Sequence, residues 1–463
     1  MTLEKQPLWL ARFKHLLGLD RTIAFTILAR GWSTLAGLVT VLLIARYLSA
    51  VEQGYYYTFS SLVALQVVFE LGFSFVILQL ATHERAVLQI NDDGSISGDC
   101  VAHSRLASVV QKAVRWYSIG AALMAAALLP AGYYFFNLHH QSGVQVHWAL
   151  PWFAAIVSAV FTFQMDPLFS FIEGCGRIPQ VACMRLTQAI AGSTLAWLSL
   201  YLHHGLFAPA LIISGQAITG GAFLYTQRGL LIPLLRYPVL DHAVSWKTEI
   251  WPFQWRIATS WLCGYFIIQF INPVLFIFRG PVEAGRMGMS LTIATALSAV
   301  AIAWINTKAS PFGLLIARRD YVTLDRLFFR TLWQSSCLLL SAVLFLLTAM
   351  ALFGGTVPHL IGRVLPLSSF AILLATVLCN HILFSEAIYL RSHKLEPFMK
   401  MSVIVGLLTA VSTILTSKYC GMQGVVLGYF CINGIFGLAI GTTIFQKKRR
   451  EWHCNANYQE PSA

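Results

Sequence analysis

Long apolar stretches separated by short polar segments run through the 463-residue chain. A helix that crosses a bilayer needs roughly 17–25 predominantly apolar residues, and about twelve stretches are of this kind. The predicted spans cover residues 22–44, 55–81, 116–136, 148–173, 186–202, 206–226, 257–278, 287–307, 331–354, 367–390, 401–417 and 424–445. The pattern therefore predicts an all-α, polytopic membrane protein with about twelve transmembrane helices.

The basic residues are sorted by side of the membrane. With twelve spans both termini lie on one face, and 26 of the 32 Lys and Arg residues fall in segments on that face. The remaining six are Arg30, inside the first span, and Arg46, Arg279, Arg286, Arg363 and Lys418 on the opposite face. Since Lys and Arg are enriched in cytoplasmic loops, we expect both termini to be cytoplasmic.

Composition agrees with this topology and excludes other classes. Hydrophobic residues make up 57% of the chain and charged residues 11%, which is too little charge to cover soluble domains. The net charge of +13 lies in the predicted cytoplasmic loops, where it would meet anionic membrane lipids. No basic face is interleaved with aromatic residues, so nucleic-acid binding is not expected. Neither the nine cysteines nor the thirteen histidines have metal-site spacing, and no cofactor is indicated.

A short amphipathic segment precedes the first span. Arg12 and Lys14 lie opposite an apolar helical face formed by Trp9, Phe13, Leu16 and Leu17. This arrangement is typical of a helix that lies in the membrane interface. We expect an anchor on the inner leaflet, while a lateral gate is the functional alternative.

A weak internal repeat divides the chain into two halves. The string V-E-x-G occurs at 51–54 and at 282–285, each time before an even-numbered span. The string L-F-S occurs at 168–170 before Glu173 and at 383–385 before Glu386, and a short basic loop with a proline follows both. The repeat predicts a six-helix bundle at 1–236, with the interfacial helix, and a second at 237–463, with a basic cytoplasmic tail. The bundles would surround a central cavity, and residues 227–256 would link them.

Ionisable residues inside spans are expensive and are therefore functional candidates. Arg30 lies about 12 Å and Glu70 about 17 Å above the inner ends of the first two spans, by the helical rise. We expect these side chains to pair, either permanently or until an anionic substrate opens the pair. An arginine suits a phosphate or diphosphate because its planar fork donates two hydrogen bonds at once.

Three further carboxylates are candidates for coupling or gating. Asp166 precedes Pro167, which frees a backbone carbonyl within the fourth span, so a proton or cation site is one reading and a capped kink is the other. Glu173 and Glu386 occupy matched places near the inner ends of spans four and ten. With Glu70 they would couple transport to a proton or to sodium, or gate it. By contrast, Glu52 and Glu283 open spans two and eight, where an acid complements the helix dipole.

Several strings give the chain a family resemblance. They are R-Y-L at 46–48, E-Q-G-Y at 52–55, E-L-G-F at 70–73, E-G at 173–174, G-R at 176–177 and E-I-W-P-F-Q-W at 249–255. With twelve spans and tiny outer loops, the chain resembles the O-antigen flippases. These form the polysaccharide transporter branch of the multidrug/oligosaccharidyl-lipid/polysaccharide exporter superfamily.

The resemblance implies a function in the bacterial inner membrane. A flippase of this kind moves an undecaprenyl-diphosphate-linked oligosaccharide, an O-antigen or other surface polysaccharide unit, from the inner leaflet to the periplasmic side by alternating access. Arg30 would engage the diphosphate, with Arg46 and Arg279 lending charge from the outer rim. The implied partners are a polysaccharide polymerase and glycosyltransferases. Acids outnumber Arg30 within the spans, which fits such a substrate poorly and suits cation coupling.

Two alternatives remain beside the flippase. A cation-coupled exporter of small amphipathic drugs would share the superfamily plan. A membrane-embedded polysaccharide polymerase or acyltransferase is disfavoured, because such enzymes need a large outer loop or a clustered polar site and the outer loops here are short. We therefore expect a transporter and not an enzyme.

Overall fold

The structure, a computed structural model, describes residues 21–91, 94–139, 145–239, 243–354, 356, 358–393 and 397–457. The predicted interfacial helix before Arg21 lies outside the described residues, as do the last six residues of the basic tail.

Helices dominate the first part of the described chain, with one small antiparallel sheet between them. In order these elements are α1 (Arg21–Tyr47), α2 (Ala50–Val63), α3 (Gln66–Glu70), α4 (Phe73–Arg85), β1 (Leu88–Ile90), β2 (Ile96–Gly98), α5 (Cys100–Leu138), α6 (Ala149–Gly174), α7 (Ile178–Tyr201), α8 (Ala208–Thr226) and α9 (Arg228–Arg236). Strands β1 and β2 pair with Leu88 opposite Gly98 and Ile90 opposite Ile96.

The second part is helical as well. It contains a π-helical turn (Trp246–Ile250), α10 (Trp251–Ile268), α11 (Ile271–Arg279), α12 (Pro281–Asn306), α13 (Ala309–Ala317), α14 (Tyr321–Phe353), α15 (Pro358–Ile361), α16 (Leu367–Ser392), α17 (Met399–Tyr419), α18 (Gly421–Tyr429), a second π-helical turn (Phe430–Phe436) and α19 (Gly437–Asn457).

The number of apolar helices confirms a polytopic all-α membrane protein. Ten helices in the described part of the chain are long and apolar enough to cross a bilayer, or eleven if Ala50–Glu70 and Phe73–Arg85 form one bent span. This is slightly fewer than the predicted twelve. The missing span, residues 186–202, lies on α7, whose Gln, Arg, Thr and Ser residues make it less apolar than the others.

The chain folds into two compact units, neither of which is continuous in sequence. Among the described residues, those of the first unit fall within 1–40, 66–133 and 149–258, and those of the second within 41–65, 134–148 and 259–463. The predicted linker at 227–256 is thus part of the first unit. The division of the sequence into halves at residue 236 stays a prediction, because units grouped by contact do not test a duplication.

Helices of the first unit are joined by half-buried tryptophans and by glycines. On α1 and α7, the Trp32 indole donates to Ser193 Oγ at 3.1 Å, and the Trp197 indole donates to Thr40 Oγ1 at 2.9 Å. Helices α4 and α6 meet at Gly174, where an added Cβ would lie 2.7 Å from the Ala81 Cβ. These contacts join α1 to α7 and α4 to α6.

In the second unit, the two V-E-x-G strings pack against each other. A Cβ at Gly54 would lie 2.0 Å from the Pro281 carbonyl oxygen, and one at Gly285 would lie 2.8 Å from the Gly54 nitrogen. The buried Gln53 amide donates to the Gly285 and Arg363 carbonyls, each at 2.9 Å. The glycines of both strings lie inside α2 and α12, where they permit close helix approach.

The acids of the same strings have the predicted structural role. Glu52 lies in the first turn of α2, where its carboxylate accepts from the Ser49 amide at 2.8 Å and Ser49 Oγ accepts from the Glu52 amide at 3.2 Å. Glu283 lies in the first turn of α12. Each acid thus stabilises a helix N-terminus, as a capping box or through the helix dipole.

Candidate functional site

A break in a membrane helix places Glu70 at a special position in the first unit. Helix α3 ends at Glu70 and α4 begins at Phe73, so two residues between them leave the helical conformation. Leu71 has φ 51° and Gly72 has φ 66°, both in the left-handed region that a bulky residue such as leucine rarely adopts. Broken membrane helices supply backbone groups for ion and substrate sites, so the break marks a candidate site.

Two hydroxyl groups lie beside the Glu70 carboxylate. The Tyr117 hydroxyl donates to Glu70 Oε1 at 3.4 Å, and it lies 2.6 Å from Ser74 Oγ in a second hydrogen bond. Tyr117 is fully buried, with its ring stacked on Phe73 at 6.2 Å and tilted against Phe163 at 4.8 Å. The packing therefore holds the phenol in one position, within hydrogen-bond distance of Glu70.

A second carboxylate, Asp166, belongs to the same cluster. It lies on α6 directly before Pro167, which sits inside the helix as predicted. Asp166 interacts electrostatically with Glu70 and with Arg185 on α7. Two carboxylates that interact in a region of low dielectric repel each other, so the pair is a candidate site for a cation.

Glu173 belongs to the edge of this region and has a simple partner. Arg185 Nη2 lies 3.4 Å from Glu173 Oε2, and the Arg185 side chain is more than half exposed. A surface ion pair of this kind contributes at most about 1 kcal/mol. The contact therefore favours a supporting role for Glu173 beside Asp166, rather than a site of its own.

The predicted Arg30–Glu70 pair is not formed. Arg30 lies on the exposed side of α1, and within the described residues it makes no ion pair. The sequence placed both residues at similar depths in the membrane, but depth does not determine the direction in which a side chain points. Glu70 is hydrogen-bonded by Tyr117 instead, which leaves the Arg30 guanidinium available to an external anion.

The other two predicted cationic residues lie in the second unit and have local contacts. Arg46 is exposed at the end of α1, with its guanidinium 5.7 Å from the Tyr47 ring centroid. Arg279 donates from Nε to the Ser417 carbonyl at 2.8 Å and from Nη2 to the Lys418 carbonyl at 3.3 Å. Arg279 therefore satisfies the last carbonyl groups of α17, a structural role that the sequence did not indicate.

Glu386 also lies in the second unit, whereas Glu70 and Asp166 lie in the first. It is buried on α16, and its Oε2 accepts from the Thr442 hydroxyl on α19 at 3.3 Å. His381, one turn earlier on α16, is fully buried and lies 2.9 Å from Ser335 Oγ. Glu386 thus belongs to a different unit from Glu70 and Asp166, although all three were predicted to act in coupling.

Sequence reasoning missed an ionic cluster that anchors the predicted linker to the first unit. Arg105 on α5 donates to Glu84 at 2.7 Å and to Glu249 at 2.5 Å, and Lys112 donates to the Val244 carbonyl. Burial raises the pKa of Glu249, but the hydrogen bonds from Arg105 and from the Ser245 amide outweigh burial and hold it below its ordinary value.

Further contacts join the same two segments. Gln111 on α5 donates to the Leu234 and Tyr237 carbonyls at 3.1 and 2.9 Å, and the His103 ring stacks on the Tyr237 ring at 4.2 Å. The segment that connects the predicted halves is therefore fastened along α5 over several turns. Short-range sequence patterns contain no signal for such contacts.

Comparison with known proteins identifies the fold. No family model matches the sequence, and no curated protein matches it. An inward-facing multidrug resistance transporter of the MATE family, within the MOP superfamily, is 14% identical over 94% of this chain and 95% of that chain, with a TM-score of 0.58. The chain has the fold of the MOP superfamily transporters.

Two other solved structures of this superfamily fold are similar over nearly the whole chain. The lipid II flippase MurJ, in an inward closed conformation, is 16% identical over 94% of this chain and 91% of that chain, with a TM-score of 0.54. A MOP superfamily transporter from Pyrococcus furiosus is 14% identical over 94% of this chain and 97% of that chain, with a TM-score of 0.53. At these identities the likeness establishes the fold and leaves the substrate to the chemistry of the site.

Proposed function

We propose that the protein is an inner-membrane flippase that moves an undecaprenyl-diphosphate-linked oligosaccharide by alternating access, coupled to a cation. The observation that carries the coupling is the Glu70–Asp166–Tyr117 cluster at the broken helix. The fold of a transporter superfamily that includes a named lipid flippase supports the class of function. The family strings in the sequence support the lipid-linked cargo.

Coupling follows from the charge of the cluster. Glu70 and Asp166 interact electrostatically as like charges, so a proton or a sodium ion that binds between them removes a repulsion. The Tyr117 hydroxyl donates to Glu70, and this hydrogen bond is stronger to the carboxylate than to the protonated carboxyl group, so uptake of a proton weakens it. Because Glu70 ends α3 at the break, the change acts directly on the junction with α4. In this proposal, ion occupancy sets the helix geometry and thereby the transport cycle.

Arg30 is the proposed contact for the diphosphate. It is exposed on α1 and has no ion pair within the described residues. A guanidinium that stays charged at every physiological pH can bind an oxygen-rich anion with two parallel hydrogen bonds. Arg279 is less suited to this role, since two of its donors already bond to backbone carbonyls.

A second candidate function is cation-coupled export of small amphipathic drugs. The observation in its favour is the acidic cluster itself, which would attract a cationic molecule as readily as a coupling ion. In this case the carboxylates would touch the cargo and Arg30 would be irrelevant to transport. The two functions therefore differ in which residue is required.

The test uses purified protein in liposomes with a fluorescent lipid-diphosphate oligosaccharide under an imposed proton or sodium gradient. We expect Arg30→Ala to lower translocation at least about tenfold, because hydrogen bonds to charged groups contribute roughly 1.5–3 kcal/mol. Arg318→Ala, at an exposed residue of similar charge, is the matched control. Unchanged translocation in Arg30→Ala would remove Arg30 from the mechanism. Export of a cationic dye without lipid movement would establish the second function.

A further inference from the structure

A pocket in the second unit, at the basic end of α19, contains charges of both signs. Its volume is about 260 Å³, and its lining includes Glu386 from α16, Phe329 from α14, and Thr442, Gln446, Arg449 and Arg450 from α19. We propose that this pocket binds the headgroup of a membrane phospholipid that carries a primary amine and a phosphate. The proposal concerns a lipid that stays with the protein, and it does not depend on the transported cargo.

In the acidic part of the pocket, Glu386 has no cationic partner among the described residues. Glu386 is only 3% exposed, and its Oε2 accepts one hydrogen bond, from Thr442 at 3.3 Å. Within the described residues, no Lys or Arg forms an ion pair with Glu386. Arg449, although it lines the same pocket, is bound to Asp325 through Nε at 2.9 Å and Nη2 at 2.5 Å. A buried carboxylate without a counter-ion is expensive, so the site favours an amine that brings positive charge and N–H donors.

The basic part of the pocket is suited to a phosphate. Gln446, Arg449 and Arg450 follow Thr442 at helical spacings of four, seven and eight residues, so all four share one face of α19. Arg450 is exposed and forms no ion pair within the described residues, so its guanidinium fork is available. The pocket is therefore acidic at the level of Thr442 and basic about 12 Å further along α19. Arginine side chains can lean back along the helix and shorten this separation.

The position of the pocket indicates a lipid. Helix α19 is apolar up to Phe445 and then basic at residues 447–450, followed by Trp452, which is the pattern of a helix that leaves the hydrocarbon at the headgroup level. Phe329, with 44% of its surface exposed, lies at the pocket with the Arg449 guanidinium 5.1 Å from its ring centroid. A headgroup could thus occupy the polar pocket while the acyl chains stay in the surrounding membrane.

The experiment is native mass spectrometry of the full-length protein with lipids of identical acyl chains. The lipids are phosphatidylethanolamine, its mono- and dimethyl derivatives, phosphatidylcholine and phosphatidylglycerol. We expect phosphatidylethanolamine to bind about tenfold more tightly than phosphatidylcholine and phosphatidylglycerol, because only amines with N–H groups form a charge-assisted hydrogen bond to Glu386. The loss should come with the last methylation, which removes the last N–H donor. This comparison needs no variant and stays informative if a substitution unfolds the protein.

Variants separate the two ends of the headgroup. Glu386→Gln should remove the preference for phosphatidylethanolamine over phosphatidylcholine, and Arg450→Gln should weaken both lipids alike, since both contain the phosphate. Lys447→Gln, on α19 but outside the pocket lining, is the matched control and should bind as wild type. Phosphatidylglycerol binding as tightly as phosphatidylethanolamine would overturn the proposal. An unchanged preference of Glu386→Gln for phosphatidylethanolamine over phosphatidylcholine would also overturn it. Glutamine is neutral and lacks the negative charge that is proposed to attract the amine.

Discussion

At the scale of single residues, the most informative position is the break after Glu70. Leu71 and Gly72 both have positive φ values, a conformation that costs about 1–2 kcal/mol for a residue with a Cβ. Strained backbone of this kind persists when the surrounding packing determines it, and it concentrates at functional sites. Tyr117 and Asp166 both interact with Glu70 at this break. Substitutions here therefore distinguish effects on protein stability from effects on transport.

Gly72→Ala should destabilise the protein by about 1–3 kcal/mol. The alanine would have to keep the positive φ of Gly72, and its Cβ would lie 2.4 Å from Ile257 Cγ2. Thermal unfolding in detergent measures the effect. Gly264→Ala, where nothing lies within 4 Å, is the control and should be neutral or slightly stabilising. Equal melting temperatures of the two variants would contradict the strained break.

Tyr117→Phe tests the hydroxyl without changing the ring packing. Loss of its bonds to Ser74 and Glu70 should lower the stability by about 1–2 kcal/mol and shift the pH at which transport is half-maximal. Gradient-driven transport in liposomes, measured as a function of pH, is the readout. Tyr134→Phe, at an exposed tyrosine, is the control. An unshifted pH profile at normal protein abundance would exclude Tyr117 from coupling.

At the scale of secondary-structure elements, two contacts between segments distant in sequence organise the units. One is the crossing of α2 and α12, where the V-E-x-G strings meet. The other is the fastening of residues 243–250 to α5 by Arg105 and Lys112. Each depends on a feature that looks ordinary in the sequence, a glycine in an apolar helix or a charge in a loop. The glycine and the charge become important only through the residues that the fold brings against them, Pro281 for Gly54 and Glu249 for Arg105.

Gly54→Ala should disturb the crossing of α2 and α12. The added Cβ would lie 2.0 Å from a backbone oxygen of Pro281, which cannot move as a side chain can, so we expect a loss of about 1–3 kcal/mol. Gly37→Ala on α1, with nothing within 4 Å, is the matched control. Thermal unfolding compares the two variants. A Gly54→Ala protein as stable as Gly37→Ala would show that the helices are not held in this close contact.

The ionic cluster at the linker should respond to pH. Because the pKa of Glu249 is held below its ordinary value, its contribution to stability is complete at neutral pH and is lost as the pH falls through the folded-state pKa, which lies below that of an unperturbed glutamate. Limited proteolysis within residues 243–250 should therefore become faster on acidification. Arg105→Gln should be cut rapidly even at pH 7, and Arg326→Gln, an arginine outside the cluster, should not. Equal cleavage of both variants at pH 7 would argue against the anchor.

At the scale of the whole molecule, the number of apolar helices and the superfamily fold agree with the hydrophobic pattern. The sorting of basic residues goes one step further, because it predicts the orientation of the chain in the membrane. That orientation determines which leaflet the proposed lipid pocket meets. It also determines the direction of the proposed transport.

Reporter fusions test the orientation. A fluorescent protein fused after residue 463 should fluoresce, because both termini are expected in the cytoplasm. Alkaline phosphatase should be active when it is fused after Lys418, in a predicted outer loop, and inactive after Lys308, in a predicted inner loop. The reverse pattern would invert the topology and with it the proposed direction of transport.

Hydropathy and charge, read along the chain, were enough to predict a polytopic all-α membrane protein with about the right number of helices. They succeeded because burial in lipid requires an apolar stretch of defined length, a property of each segment alone. The predicted span 186–202 is not among the helices that are apolar enough to cross a bilayer. Helix α7 is long enough for this, but it has more polar residues than its neighbours. The two V-E-x-G strings were also visible in the sequence, but nothing in the sequence indicated that they pack against each other.

The identity of the partners was decided only by the tertiary structure. The sequence placed Arg30 and Glu70 at similar depths and suggested a pair, but the fold directs Glu70 to Tyr117 and leaves Arg30 exposed. It likewise brings Gly54 against Pro281 and Arg105 against Glu249. Apolarity and charge along one helix determine that the helix enters the membrane. The direction of each side chain depends on the rotation and packing of several helices together, which no single segment encodes.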